Sequence, residues 1–398
     1  MKRFLSLHLV RLFAALLLVD IASVLHAQTR YFVTDLGTFG GTQGFGYAVN
    51  LEGQVAGASL TSGDNGFLAY RTAPNRPINP ATDDLGTLGG VQSFAQSINI
   101  IGQAVGSAAI TDSTPLHAFR TAPNRPINPA TDDLGTLGGS ESEGFGINDW
   151  GQAVGFASTS GDLEMHAFRT AANRRINPAT DDLGTFGGTQ SAAFSMNDFG
   201  QVTGFASIPD DIAMHAFRTA ANRRINPATD DLGTLGGPDS VGLSINNFGQ
   251  VTGYSFTDTL ETIQHAFRTV ANRRINPATD DLGTLGGPHS VGMSINDFGQ
   301  VVGYSFIDRA NTIQHAFLVN TKVMDDLNNL IPANQGWELQ VAYGINDLGQ
   351  IVGVGARGSD LRPFLLTPAF KELCQNGGWK NFGFKNQGQC IQFANTGK

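Results

Sequence analysis

The chain restates itself. A Gly-Gln pair recurs with Gln at 54, 103, 152, 201, 250, 300 and 350, so the spacing is always 49 or 50 residues. A period of that size belongs to solenoids, arrays and propellers, and it limits the fold more than any local pattern does. Within one copy, four short apolar segments are separated by turn signals. Residues 290–296 (SVGMSIN) lead into the turn DFGQ, and 301–306 (VVGYSF) lead into a loop that differs in every copy. Residues 265–269 (HAFRT) precede the loop VANRRINPAT, and 280–285 (DDLGTL) are closed by Gly286-Gly287. Segments this short, rich in glycine and aromatics and without helical spacing, predict strands, four to a copy.

Each segment type occurs seven times, but the order is offset. The chain opens on an Asp-Leu segment at 31–36 and closes on a HAF-type segment at 362–366. In an open stack both would be bare strand edges, which invite aggregation. The expectation is therefore all-β: a seven-bladed β-propeller of four-stranded blades over 28–370, its ring closed by pairing 31–36 with 362–366. The composition fits blades stacked face to face, because 27 Phe alongside 50 Gly allow large rings to pack against residues without side chains. The Gly-Gly pairs are expected to permit a sharp crossing from one blade to the next. The seventh copy, Asp325-Asp326-Leu327-Asn328-Asn329, lacks that pair and must cross differently.

The two ends are of other kinds. Residues 1–27 read as a secretory leader, with Lys2, Arg3 and Arg11 before an apolar run that is too short to span a bilayer. Losing that segment, with Asp20, takes the formal charge from −9 to about −11, and an acidic chain is a poor partner for nucleic acid. The tail, 371–398, holds both cysteines; in an exported protein Cys374 and Cys390 are expected to form a disulfide. The expected location is secreted, extracellular or periplasmic, as a monomer with no transmembrane segment once the leader is gone.

Comparing the copies separates two loop types. The loop after the third strand is nearly constant (APNRPINPAT, AANRRINPAT), whereas the loop after the second changes each time (SLTSGDNG, STSGDLEM, SIPDDIAM). Binding residues favour varied loops on a rigid scaffold, so Asp64, Asn65, Asp112, Asp162, Asp210, Asp211, Asp258 and Asp308 are the candidate ligand-facing residues. His117, His166, His215, His265 and His315 recur once per copy and cannot converge on one ion, so each is expected to bond backbone at a blade edge. The Asn-Asp-x-Gly turns resemble a fragment of a calcium loop but lack its alternate acids and distal Glu. Hairpin chemistry is the expectation there, with no cofactor and at most a weak affinity for calcium. Arg174-Arg175, Arg223-Arg224 and Arg273-Arg274 are expected to pair across their own loops with Asp181-Asp182, Asp230-Asp231 and Asp280-Asp281. No catalytic or metal-binding motif is present.

With HAFRT, DDLGTLGG and SINDxGQVVG, the chain resembles the HAF-repeat family of predicted extracellular bacterial proteins over about 31–367. The tail is similar to a GGW…FGFKNQGQC segment found at the ends of secreted bacterial proteins. These resemblances imply export and tandem architecture and assign no functional residues. The expected function is a secreted, non-enzymatic binding or interaction scaffold for an extracellular carbohydrate or protein, acting through the variable loops or the mouth of a central channel. A multivalent lectin, and a hydrolase or lyase with a channel site, are the alternatives.

Overall fold

Each repeat begins as a three-stranded antiparallel meander. In the fifth copy Ser240–Ile245, Val251–Phe256 and Gln264–Arg268 pair in chain order. The computed structural model describes residues 29–397 apart from 113 and 334, so the expected leader at 1–27 lies outside the described residues. The chain is predominantly β. We number the units 1 to 7 from the strand Gly40–Val49 onward.

The repeated residues explain the meander. A bulge in every first strand brings a carbonyl over the glycine of the second strand. A Cβ at Gly204 would lie 1.8 Å from the Ala192 oxygen and one at Gly253 1.9 Å from that of Val241. The HAF aromatic occupies the space above. Tyr70, Phe119, Phe168, Phe217, Phe267, Phe317 and Phe364 are all fully buried, each stabilising its unit by roughly 1.5–3 kcal/mol. The cores span neighbours: Ala216, Leu232 and Leu235 of unit 4 cluster with Ile245, Val251, Phe267 and Ile275 of unit 5.

The fourth strand departs from expectation. It is a true strand in unit 1 (Asp84–Gly86), unit 6 (Met324–Asp326) and unit 7. In units 2 to 5 it shrinks to one antiparallel pair, such as Phe168 opposite Asp182. The segment is short in units 1 to 5 alike because the chain turns at once: Asp182 accepts the Gly184 amide at 2.7 Å with Gly184 at φ +75°, and Asp84 and Gly86 of unit 1 make the same turn. The Gly-Gly crossings are present: Gly236 has φ +128°, and a Cβ on Gly237 would meet Phe256 at 2.5 Å. Unit 6 crosses instead through a short 3₁₀ turn, Leu327–Asn329, where the Asn328 side chain both donates to and accepts from the Leu339 backbone.

The fourth strand of unit 7 comes from the start of the chain. Tyr31–Asp35 pairs antiparallel with Asp360–Pro368, with Tyr31 opposite Pro368 and Asp35 opposite Phe364. Arg357 and Arg362 hold the Asp35 carboxylate. Unit 7 also meets unit 1 through one parallel pair, Gln43 opposite Leu361. The tail carries the Cys374–Cys390 disulfide and ends in the helix Gln387–Thr396. It closes over Phe32, which stacks on Phe382 at 4.2 Å and also packs against Phe384 and Phe393. No helix among the described residues is long and apolar enough to cross a membrane.

Candidate functional site

Neighbouring units are joined by recurring polar bonds, one of them present at all seven junctions. The Asn that ends each first strand donates from Nδ2 to the backbone oxygen of the equivalent Asn in the next unit. The bonds run Asn50 to Asn99, then Asn148, Asn197, Asn246, Asn296 and Asn346. Asn346 then donates to the Asn50 oxygen at 2.9 Å, so the series returns to its start. Each Asn also bonds the Gln four residues on, and its Oδ1 accepts that Gln's amide. At five of the seven junctions the Gln side chain also reaches the Asn of the constant loop in the following unit, as Gln54 does to Asn124, Gln201 to Asn272, and Gln350 to Asn75. The recurring Asn and Gln are therefore junction residues. Sequence reasoning gave them only a role within their own turn, because a bond to the next copy leaves no local signal.

This polar end surrounds a pocket of about 190 Å³ lined by the seven Asn and the residues that flank them. The position after the Asn is acidic in Asp149, Asp198, Asp297 and Asp347 and amide in Asn247. Most accept the backbone amide of the preceding unit, as Asp297 does from Asn247 at 2.8 Å. No group of three or more His, Cys, Asp or Glu able to hold a metal occurs among the described residues.

A second pocket, of about 200 Å³, lies behind a wall that both share, made of Val49, Ile98, Ile147, Met196 and Ile345. Its remaining lining comes from the position three residues before each Asn, which is where the copies disagree: Tyr47, Gln96, Phe145, Phe194, Leu243, Met293 and Tyr343. Serines 97, 195, 244 and 294 add hydroxyls. Tyr47 and Tyr343 meet edge to face at 5.3 Å, and so do Phe145 and Phe194 at 5.2 Å. More half-buried rings extend each group outward, Phe45, Phe67 and Phe94 on one side and Phe156 and Phe205 on the other. Burial and the neighbouring Tyr304 push the Tyr343 hydroxyl up to about 12, and burial raises that of Tyr47 further. Both are neutral hydrogen-bond donors at any physiological pH.

The first strands run from this second end to the polar end, so the variable loops share the end of the aromatic pocket. The candidate acids on those loops are engaged in holding them. Asp64, Asp162 and Asp211 accept amides at the start of the first strand, from Thr42, Ser140 and Thr189. Asp258 and Asp308 cap their own loops through Thr262 and Thr312. Asn65 donates to the Ser62 oxygen, the Asp112 backbone oxygen accepts from Val91, and Asp210 sits at φ +66° in a short 3₁₀ turn. Each belongs to a different loop and a separate unit, except the adjacent pairs 64–65 and 210–211. The pocket residues were missed because they lie within strands and look like core.

Two further expectations are amended. The histidines bond carboxylates, with a backbone bond beside them at His117 (Ser140) and His215 (Pro238): His117–Asp133, His166–Asp182, His215–Asp231, His265–Asp281 and His315–Asp326 lie at 2.7–3.1 Å. The second Asp of the fourth segment stands beside the third strand and takes the imidazole Nδ1. The Asp partner raises the pKa of His117, His166 and His215 despite their burial. Among the described residues no arginine pair bridges its own loop. Arg274 pairs with Asp231 of the preceding unit at 3.2 Å. Asp181, Asp230 and Asp280 instead fold their loops by accepting the amides of Asn177, Asn226 and Asn276. A carboxylate four residues from a free amide has a shorter route to a partner than an arginine across the loop.

Compared with known proteins, the chain matches no family model and no curated protein.

Proposed function

We propose that the seven units are blades of a closed propeller and that the protein is a secreted, non-enzymatic binding scaffold of the HAF-repeat type. Its ligand enters the channel from the end that carries the variable loops. The observation that carries this reading is the aromatic pocket. In a chain of near-copies, the side chains facing one cavity differ from unit to unit while the glycines, asparagines and buried aromatics around them repeat. Apolar rings with a few convergent hydroxyls and an amide are the usual lining of a small-molecule site. Two tyrosines, Gln96 and four serines suit a compact ligand with an apolar face and several hydroxyls, such as a sugar ring. The closing strand pair and the returning series of Asn bonds support the ring. The disulfide supports export.

Binding is favoured over hydrolysis because the lining contains neither carboxylate nor histidine, so no acid–base pair converges there. It is favoured over a multivalent lectin because the pocket is shared by all seven units. A screen of glycans and small polar molecules against residues 28–398 tests the proposal. The expected hit binds at one site per chain, is recovered unchanged, and weakens at least about tenfold on Tyr343→Ala or Phe194→Ala. Stoichiometry near one per unit, turnover of the hit, or indifference to both substitutions would overturn it.

A further inference from the structure

The opposite end carries a surface of another kind. The residue just before the Gly of each turn that follows a first strand stands in solvent, and it is apolar in six of the seven copies. Ile101, Trp150, Phe199, Phe248, Phe298 and Leu348 are 37–63% exposed, while unit 1 has Glu52. Scattered exposed apolar residues need no explanation, but the same tip in successive units around one mouth forms a patch.

Basic residues border this patch in a fixed arrangement. The side chains of Asn124, Asn173, Asn222 and Asn272 donate to the tip carbonyls of Ile101, Trp150, Phe199 and Phe248 at 3.2–3.3 Å. Directly after those asparagines come Arg125, Arg174-Arg175, Arg223-Arg224 and Arg273-Arg274, all exposed. Each arginine turn is therefore latched to an apolar tip. Of the acids of this end, Asp149, Asp198, Asp297 and Asp347 are half-buried in the lining of the mouth, Asp83, Asp132, Asp181, Asp230 and Asp280 are buried within the arginine loops, and Glu52 alone stands exposed at a tip.

The partner must accept apolar side chains and neutralise arginines together. We propose that this end docks on an anionic phospholipid surface, with the aromatic tips at the headgroup–acyl boundary and the arginines on lipid phosphates. A soluble anionic polymer would leave the rings in water. A second copy, end to end, would oppose one arginine belt to another. This proposal is independent of the ligand pocket, which opens at the other end.

The test is co-sedimentation of the full chain with vesicles of phosphatidylcholine alone or mixed with phosphatidylglycerol. Two variants accompany it: Phe199→Ser/Phe248→Ser/Phe298→Ser and Arg174→Gln/Arg223→Gln/Arg273→Gln. All six positions are exposed, so unchanged melting temperatures establish that both variants fold. The expected result is salt-sensitive binding to the mixed vesicles only, lost in the phenylalanine variant. The arginine variant should bind on the order of a hundredfold more weakly, at about fivefold per arginine. Three results would overturn the proposal: no binding to mixed vesicles, binding that depends on the arginines but not the phenylalanines, or phenylalanine tips that mediate only self-association.

Discussion

Removing one junction asparagine measures how much the closed series of hydrogen bonds contributes, and whether it closes. Asn246 is 4% exposed and makes four bonds: Nδ2 to the Gln250 side chain and the Asn296 oxygen, and Oδ1 from the amides of Phe248 and Gln250. A neutral bond contributes about 1 kcal/mol net, and more where its partner is left buried and unsatisfied. Some of the freed groups border the polar pocket and can take water, so Asn246→Ala should cost about 3–4 kcal/mol. For the seven units together, about 340 residues, with an unfolding entropy near 2.1 cal/mol/K per residue, that is a fall in melting temperature of roughly 5 °C. Asn346 makes the equivalent four bonds, one of them across the seam to Asn50. In a closed ring Asn346→Ala must cost about as much as Asn246→Ala. Calorimetry on both variants decides the matter. A normal melting temperature for Asn346→Ala beside a lowered one for Asn246→Ala would show that the seam is open in solution and refute the argument. No loss in either would show that the series contributes little.

Two other outcomes follow from the same geometry. The folded-state pKa values of His117, His166 and His215 are raised chiefly by their bonds to Asp133, Asp182 and Asp231. This stabilisation is therefore complete below about pH 6.5 and is lost as pH rises through the raised values. Burial works against those carboxylates, but the His bond and a glycine amide still lower their pKa, so their own contribution is lost only in strong acid. His289 runs the other way, its pKa lowered by burial. The melting temperature should decline from pH 6 to pH 8, and the triple variant Asp133→Asn/Asp182→Asn/Asp231→Asn should flatten that slope; an unchanged slope would remove the pairs as its cause. At the tail, opening the Cys374–Cys390 link releases a constraint worth about 3 kcal/mol and loosens the cover on Phe32. Cys374→Ser/Cys390→Ser should therefore speed hydrogen exchange in Tyr31–Asp35 while leaving units 3 to 5 unchanged, and uniform acceleration would count against a local clamp.

The repeat period, the strand type and the identity of the closing segments were legible because they rest on patterns inside one copy. A Gly-Gly crossing and the absence of that crossing at Asn328 each report on neighbours a few residues away. The disulfide was equally plain, since Cys374 and Cys390 had no other partner. The tertiary structure decided which polar groups meet. His117 finds Asp133, Arg274 finds Asp231 and Asn346 finds Asn50 only once strands or whole units lie side by side. The loop acids Asp64 and Asp258 looked available in the sequence because the amides they cap are nearby but turned toward them only by the fold. The pocket residues were hidden for the opposite reason. Tyr47, Phe194 and Tyr343 are apolar positions in a strand, and only the convergence of seven such strands makes them a wall rather than a core. A sequence determines what recurs along the chain; which side of each recurring strand faces shared empty space is set by how the units pack.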